Sequence, residues 1–132
     1  MDEITKKKVE CHDAPAAIGP YSQAVWAGDL CFVSGQIAID RITGDMGKDD
    51  ILEQTATVLA NISNILISTG LSLADIVKTE VFLRDMGDFA DMNGVYERFF
   101  SEVEIKPARY VVQAVKLPKN ARIEIAATAY KR

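Results

Sequence analysis

The chain has 132 residues, 48% of them hydrophobic and 26% charged, so it can bury a core of ordinary size without a disulfide or metal staple. Its net charge of −4 and pI near 5.0 run against the Lys and Arg excess of a protein built to bind nucleic acid. No apolar run can span a bilayer, the charged opening of residues 1–8 has no signal-peptide core, and His12 with Cys11 and Cys31, which form no CxxC pair, does not make a zinc site. The expectation is a cytoplasmic protein of one domain, 1–132, with both thiols reduced.

In chain order, residues 7–11 read as an edge strand. The stretch that follows cannot be regular, because Pro15, Gly19 and Pro20 interrupt it. Strands are predicted over 22–27 and 30–34, joined by a two-residue hairpin turn at Gly28-Asp29. A loop over 40–48, containing Gly44 and Gly47, leads to the clearest helix signal. Asp50-Ile51-Leu52-Glu53 has the form of a capping box with Asp in the Ser/Thr place. Ile51, Thr55, Val58, Leu59, Ile62 and Ile65 follow at helical spacing, and Gly70 is the expected stop. A strand is predicted over 77–84, with Val77, Thr79, Val81 and Leu83 on one face and Lys78, Glu80, Phe82 and Arg84 on the other. Asp88 and Asp91 open a second helix that carries Val95, Phe99 and Phe100. Strands over 108–115 and 122–130 close the chain.

The last strand alternates cleanly: Ile123, Ile125, Ala127 and Ala129 point one way, Glu124, Ala126, Thr128 and Tyr130 the other. Two helices can cover only one face of a five- or six-stranded sheet. The other face still carries Phe82 and either Val111 with Val115 or Tyr110 with Val112. Apolar surface of that kind needs a cover, and self-association supplies one.

Most catalytic patterns are absent: there is no GxSxG, P-loop or GxGxxG, and one histidine makes no triad. What remains is a set of polar residues at the ends of apolar strands. Arg109, after Lys106-Pro107-Ala108, is either an exposed strand-end cation or a planar fork for a carboxylate or phosphate. Glu124 lies between two isoleucines but faces away from them, so it is solvated or, if that face is covered, must find a partner. Tyr21 after Gly19-Pro20 and Ser34 before Gly35-Gln36 are either turn residues or site residues. Asn93 sits inside the second helix, where Asn is a mediocre helix former, and is either exposed or aimed at a site.

Five ordered strings identify a resemblance. They are the run over residues 14–24 ending Gly-Pro-Tyr-Ser-Gln-Ala, Ser34-Gly35-Gln36-Ile37, the run over 78–85, Pro107-Ala108-Arg109, and Leu117-Pro118-Lys119 followed by Ile123-Glu124-Ile125. In these the chain resembles the RidA/YjgF family of reactive-imine deaminases over residues 8–131. The resemblance implies an α+β, chorismate-mutase-like fold: a mixed β-sheet with two helices packed on one face, assembled as a homotrimer with active sites between subunits. It implies hydrolysis of 2-imino acids released by pyridoxal-phosphate enzymes, 2-iminobutanoate and 2-iminopropanoate among them, to 2-keto acids and ammonia, with no metal and no organic cofactor. By the same resemblance Arg109 pairs with the substrate carboxylate, Glu124 holds the attacking water, and Tyr21, Ser34 and Asn93 line the site. Many members carry Ser-Cys after the arginine; this chain has Tyr110-Val111, so Val111 offers a backbone N–H but no thiol. The alternative functions are a small-carboxylate-binding regulator of the same fold, a ribonuclease or translation inhibitor, which the acidic balance opposes, and a chaperone-like activity. Membrane and nucleic-acid partners are not expected.

Overall fold

The computed structural model describes residues 5–132; residues 1–4, part of the charged opening read above, lie outside the described residues. The chain begins with β1 (Lys6–Val9), β2 (Ala24–Ala27) and β3 (Leu30–Gln36), paired antiparallel. Ala27 stands opposite Leu30, and Gly28 between them takes φ 59°, the hand a two-residue hairpin needs at its first turn position. Of the predicted bounds, β1 ends two residues early and β2 starts two residues late, while β3 runs on to Gln36. Cys11 and Gln23 leave the ladder because the Gln23 side chain takes over: its Oε1 accepts from Cys11 N at 2.6 Å and its Nε2 donates to Cys11 O at 3.0 Å and Pro15 O at 2.7 Å.

The helix α1 (Ile51–Ser68) starts where predicted. The Asp50 carboxylate accepts from Leu52 N at 2.8 Å and Glu53 N at 3.2 Å, satisfying two free amides of the first turn. The reciprocal half of the expected capping box is missing; Glu53 turns toward Gly47. At the other end Gly70 adopts φ 86°, with Gly70 N bonded to Ile67 O and Leu71 N to Leu66 O, a Schellman closure.

The next strand, β4 (Ile76–Leu83), pairs antiparallel with the last, β6 (Ile123–Tyr130), and parallel with β5 (Ala108–Gln113). Strand order is β1-β2-β3-β6-β4-β5, so the last strand is inserted in the middle of the sheet. The predicted facing of β4 fails at its start. Ile76 pairs with Ala129 and Lys78 with Thr128, which leaves Val77 as an extra residue in a bulge. Ile76 is therefore buried and Val77 exposed, the reverse of strict alternation from Val77.

The second helix, α2 (Phe89–Phe99), follows Asp88, but the Asp88 side chain makes no capping bond. It accepts instead from Arg122 Nη1 at 3.1 Å, and Arg122 also reaches Asp49. That carboxylate pins β6 to the helix start. Val115 lies beyond β5 and is fully exposed, so β5 ends two residues earlier than predicted.

Both helices pack on one face. Val58, Leu59, Ile62 and Ile65 of α1 and Met92 of α2 are buried with Ile123, Ile125, Val81 and Leu83 of the sheet. The opposite face is open in the single chain: Phe32, Tyr110, Val112 and Tyr130 are exposed and Phe82 is half-buried. Of the two alternatives for β5, Tyr110 and Val112 take the open face. Tyr110 meets Phe82 edge-on at 6.2 Å and donates from its hydroxyl to Glu80 at 2.6 Å. No helix among the described residues is long and apolar enough to cross a membrane.

Candidate functional site

Two cavities collect the sequence-predicted residues, and they share none. The larger, about 660 Å³, is lined by Tyr21, Ser34, Gly35, Lys119 and Glu124 among others. The smaller, about 360 Å³, is lined by Asn93, Tyr96, Lys106 and Arg109.

Register explains the separation. Phe82 pairs with both Glu124 and Val112, placing those three in one row across the sheet. Arg109 lies three residues before Val112 on β5, an odd number, so it points to the other face. Glu124 thus projects from the open face and Arg109 toward α2. Within one chain they cannot act on the same small molecule.

Arg109 is held on three sides. Its Nη1 donates to Asn93 Oδ1 at 2.7 Å, and its guanidinium carbon stands 4.7 Å from the Tyr96 ring centre and 5.7 Å from that of Phe89. Phe89, Asn93 and Tyr96 recur at i, i+4 and i+7 on α2, which puts all three on the helix side that faces β5. Tyr96 is itself fixed: it stacks on Phe100 at 4.6 Å, and its hydroxyl shares a 2.7 Å hydrogen bond with Thr79. Burial pushes its phenol pKa up, so the ring that carries the guanidinium stays neutral. The Nη2 edge of Arg109 has no partner among the described residues and is available for a bidentate anion. Lys106 does not compete for that anion; its ammonium is tied to the carbonyls of Phe100 and Val103.

The Glu124 cavity is built by the β3 bulge. Val33 pairs with Ala127 and Gln36 with Ile125, so Ser34 and Gly35 together oppose Ala126. Ser34 donates to Ser22 O at 2.6 Å, which aims its remaining lone pairs outward and anchors the loop that carries Tyr21. Tyr21 is 53% exposed at the rim. Half-buried Glu124 has its carboxyl raised above the usual carboxylate range, and burial is the one cause acting on it.

Val111 is expected to offer only its backbone N–H. Its side chain packs against the buried core beside Val81 and lines neither cavity, so only its backbone remains for a ligand. Cys11 and Cys31 are buried and unpaired, and burial pushes the Cys31 thiol up to about 11. Two residues given no role by the sequence also shape the site: Gly35, which stands in the Ser34-Gly35-Gln36 string, beside Glu124, and Tyr96 beneath Arg109. The second was signalled by its helical spacing from Asn93.

Comparison with known proteins now bears on these cavities. Residues 11–131 match the family model described as endoribonuclease L-PSP. The chain belongs to this family, the RidA/YjgF family. Among its relatives, a RutC family protein of Pyrococcus horikoshii is 51% identical, over 96% of this chain and 98% of that protein. A Salmonella typhimurium protein named 2-iminobutanoate/2-iminopropanoate deaminase is 44% identical, again over 96% of this chain and 98% of its own length. Among solved structures, Escherichia coli TdcF with bound serine superposes with a TM-score of 0.91 at 42% identity, covering 96% of this chain and 99% of that one. The one-sheet, two-helix α+β architecture is therefore that of RidA/YjgF structures.

Proposed function

We propose that this RidA/YjgF chain is an imine deaminase that hydrolyses small 2-imino acids, 2-iminobutanoate and 2-iminopropanoate among them, to 2-keto acids and ammonia. The observation that carries the proposal is a pre-oriented guanidinium with a free edge in one cavity and a half-buried carboxylate in another. The deaminase name of the Salmonella relative supports it. So does the serine held by the TdcF structure, an amino acid with the carboxylate that an imino acid shares.

The open apolar face and the split cavities call for a second copy, so we propose a homotrimer in which Arg109 of one subunit meets Glu124 of the next. Arg109 binds the substrate carboxylate by two parallel N–H bonds and aims C2. Water attacks the iminium carbon while Glu124 takes one of its protons. The resulting carbinolamine receives that proton on nitrogen; the C–N bond then breaks as Glu124 takes the hydroxyl proton, releasing the 2-keto acid and ammonia, and the proton departs with the ammonia as ammonium. The iminium carbon is already electrophilic, so orientation and one proton relay suffice. Tyr21 and Ser34 border the water side and Asn93 the carboxylate side.

The test is to generate 2-iminobutanoate in the cuvette with a pyridoxal-phosphate dehydratase and follow 2-ketobutanoate. Faster release with the protein present is expected; an unchanged rate would refute the assignment.

A further inference from the structure

Gly35 has no conformational reason to be glycine. Its φ is outside the positive range occupied by Gly19, Gly28, Gly44 and Gly70, so any L-residue could take its backbone. Space is a different matter. A Cβ built there would collide with Glu124 Oε2, and would sit 3.0 Å from the carboxyl carbon and 3.2 Å from Cγ. Other glycines offer a contrast: at Gly44, Gly70 and Gly94 an added Cβ meets nothing within 4 Å. The bulge adds the second half of the geometry, because it pushes Ser34 and Gly35 together over the single residue Ala126, next to Glu124 on β6.

We infer that Gly35 is a positioning residue, whose missing Cβ lets Glu124 lay its carboxylate against the β3 backbone at the Ser34–Gly35 bulge. The carboxylate cannot retreat toward β4, because the residue opposite it there is Phe82. A methyl at position 35 would force it out into the cavity, away from the place where it holds water. The inference rests on Glu124 being the base proposed above.

The test is a two-by-two set: wild type, Gly35→Ala, Glu124→Asp and Gly35→Ala/Glu124→Asp. Aspartate is shorter by one methylene and withdraws from the added methyl. Gly35→Ala is expected to lower kcat about ten- to a hundredfold, as a displacement of about 1 Å does, with KM nearly unchanged. In the Asp background the same alanine should cost less than about threefold. Equal penalties in both backgrounds, or a fully active Gly35→Ala, would overturn the inference. A second readout does not depend on turnover: the NMR titration of the Glu124 carboxyl carbon. Its midpoint should fall in Gly35→Ala as the group swings toward solvent, and an unmoved midpoint also overturns the inference. Should wild type fail to hydrolyse the imine while this midpoint shifts, the deaminase assignment falls and the positioning role stands. If Gly35→Ala alone does not fold, Gly35→Ala/Glu124→Ala removes the collision and must fold; its failure would place the crowding elsewhere.

Discussion

Arg109 and Glu124 are both charged and both essential to the proposed reaction, yet their removal should leave different signatures. Arg109→Lys keeps the charge and loses the planar fork, so activity should fall roughly ten- to a hundredfold and 2-ketobutanoate should bind more weakly. Glu124→Gln cannot take a proton from water, so activity should fall about 10²- to 10⁴-fold while product affinity changes little. Paired kinetics and product titration check both. Burial raises the Glu124 carboxyl, so the folded chain holds that proton more tightly than the unfolded one. The stability this confers is present at low pH and is lost as pH rises through the folded-state pKa. Glu124→Gln avoids that loss. Its unfolding temperature should exceed wild type at neutral pH, and the gap should shrink at about pH 3.5, below the usual glutamate range; thermal melts at both pH values decide.

Elements show how far local chemistry dictates structure here. Asp50 and Gly70 end α1 by side-chain and backbone bonds that each satisfy amides or carbonyls the helix cannot. Asp50→Ala should cost about 1 kcal/mol. Gly70→Ala forces a Cβ into the left-handed region and should cost about 1–2 kcal/mol. Urea unfolding at fixed protein concentration measures both. Those two ends, the hairpin at Gly28 and the alternation of β6 were legible in the sequence because each depends on neighbours within a few residues. Three features were not. Val77 sits in a β-branched run, and only pairing with β6 reveals that it bulges out. Asp88 has the residue type and place of a helix cap, but the nearby Arg122, 34 positions on, wins its carboxylate. The opposed facing of Arg109 and Glu124 follows from the register of three strands, which no single strand's pattern encodes. The motifs named the candidate residues; the pairing of β4, β5 and β6 decided which face each would serve.

For the whole molecule, the proposed trimer would make activity a property of the assembly. Arg109→Lys and Glu124→Gln chains, each nearly inactive alone, should recover roughly a quarter of wild-type turnover when co-refolded in equal amounts, because one cleft in four then joins an intact Arg109 to an intact Glu124. Recovery no greater than the sum of the separate variants would show that one chain holds a complete site. Sedimentation at micromolar concentration should give three times the chain mass. One margin of the sheet bears on how the proposed trimer would avoid open-ended association. One of the two outermost strands, β1, carries Lys6, Lys7 and Lys8, all exposed, with Lys8 paired to Glu10 at 2.9 Å. A flat, uncharged margin would invite a second copy to continue the ladder indefinitely, as in fibrils. The lysines there would face their counterparts on any copy docking β1 to β1, and the repulsion opposes that route. In the proposed trimer copies meet instead through the aromatic face, where growth stops once the ring is complete.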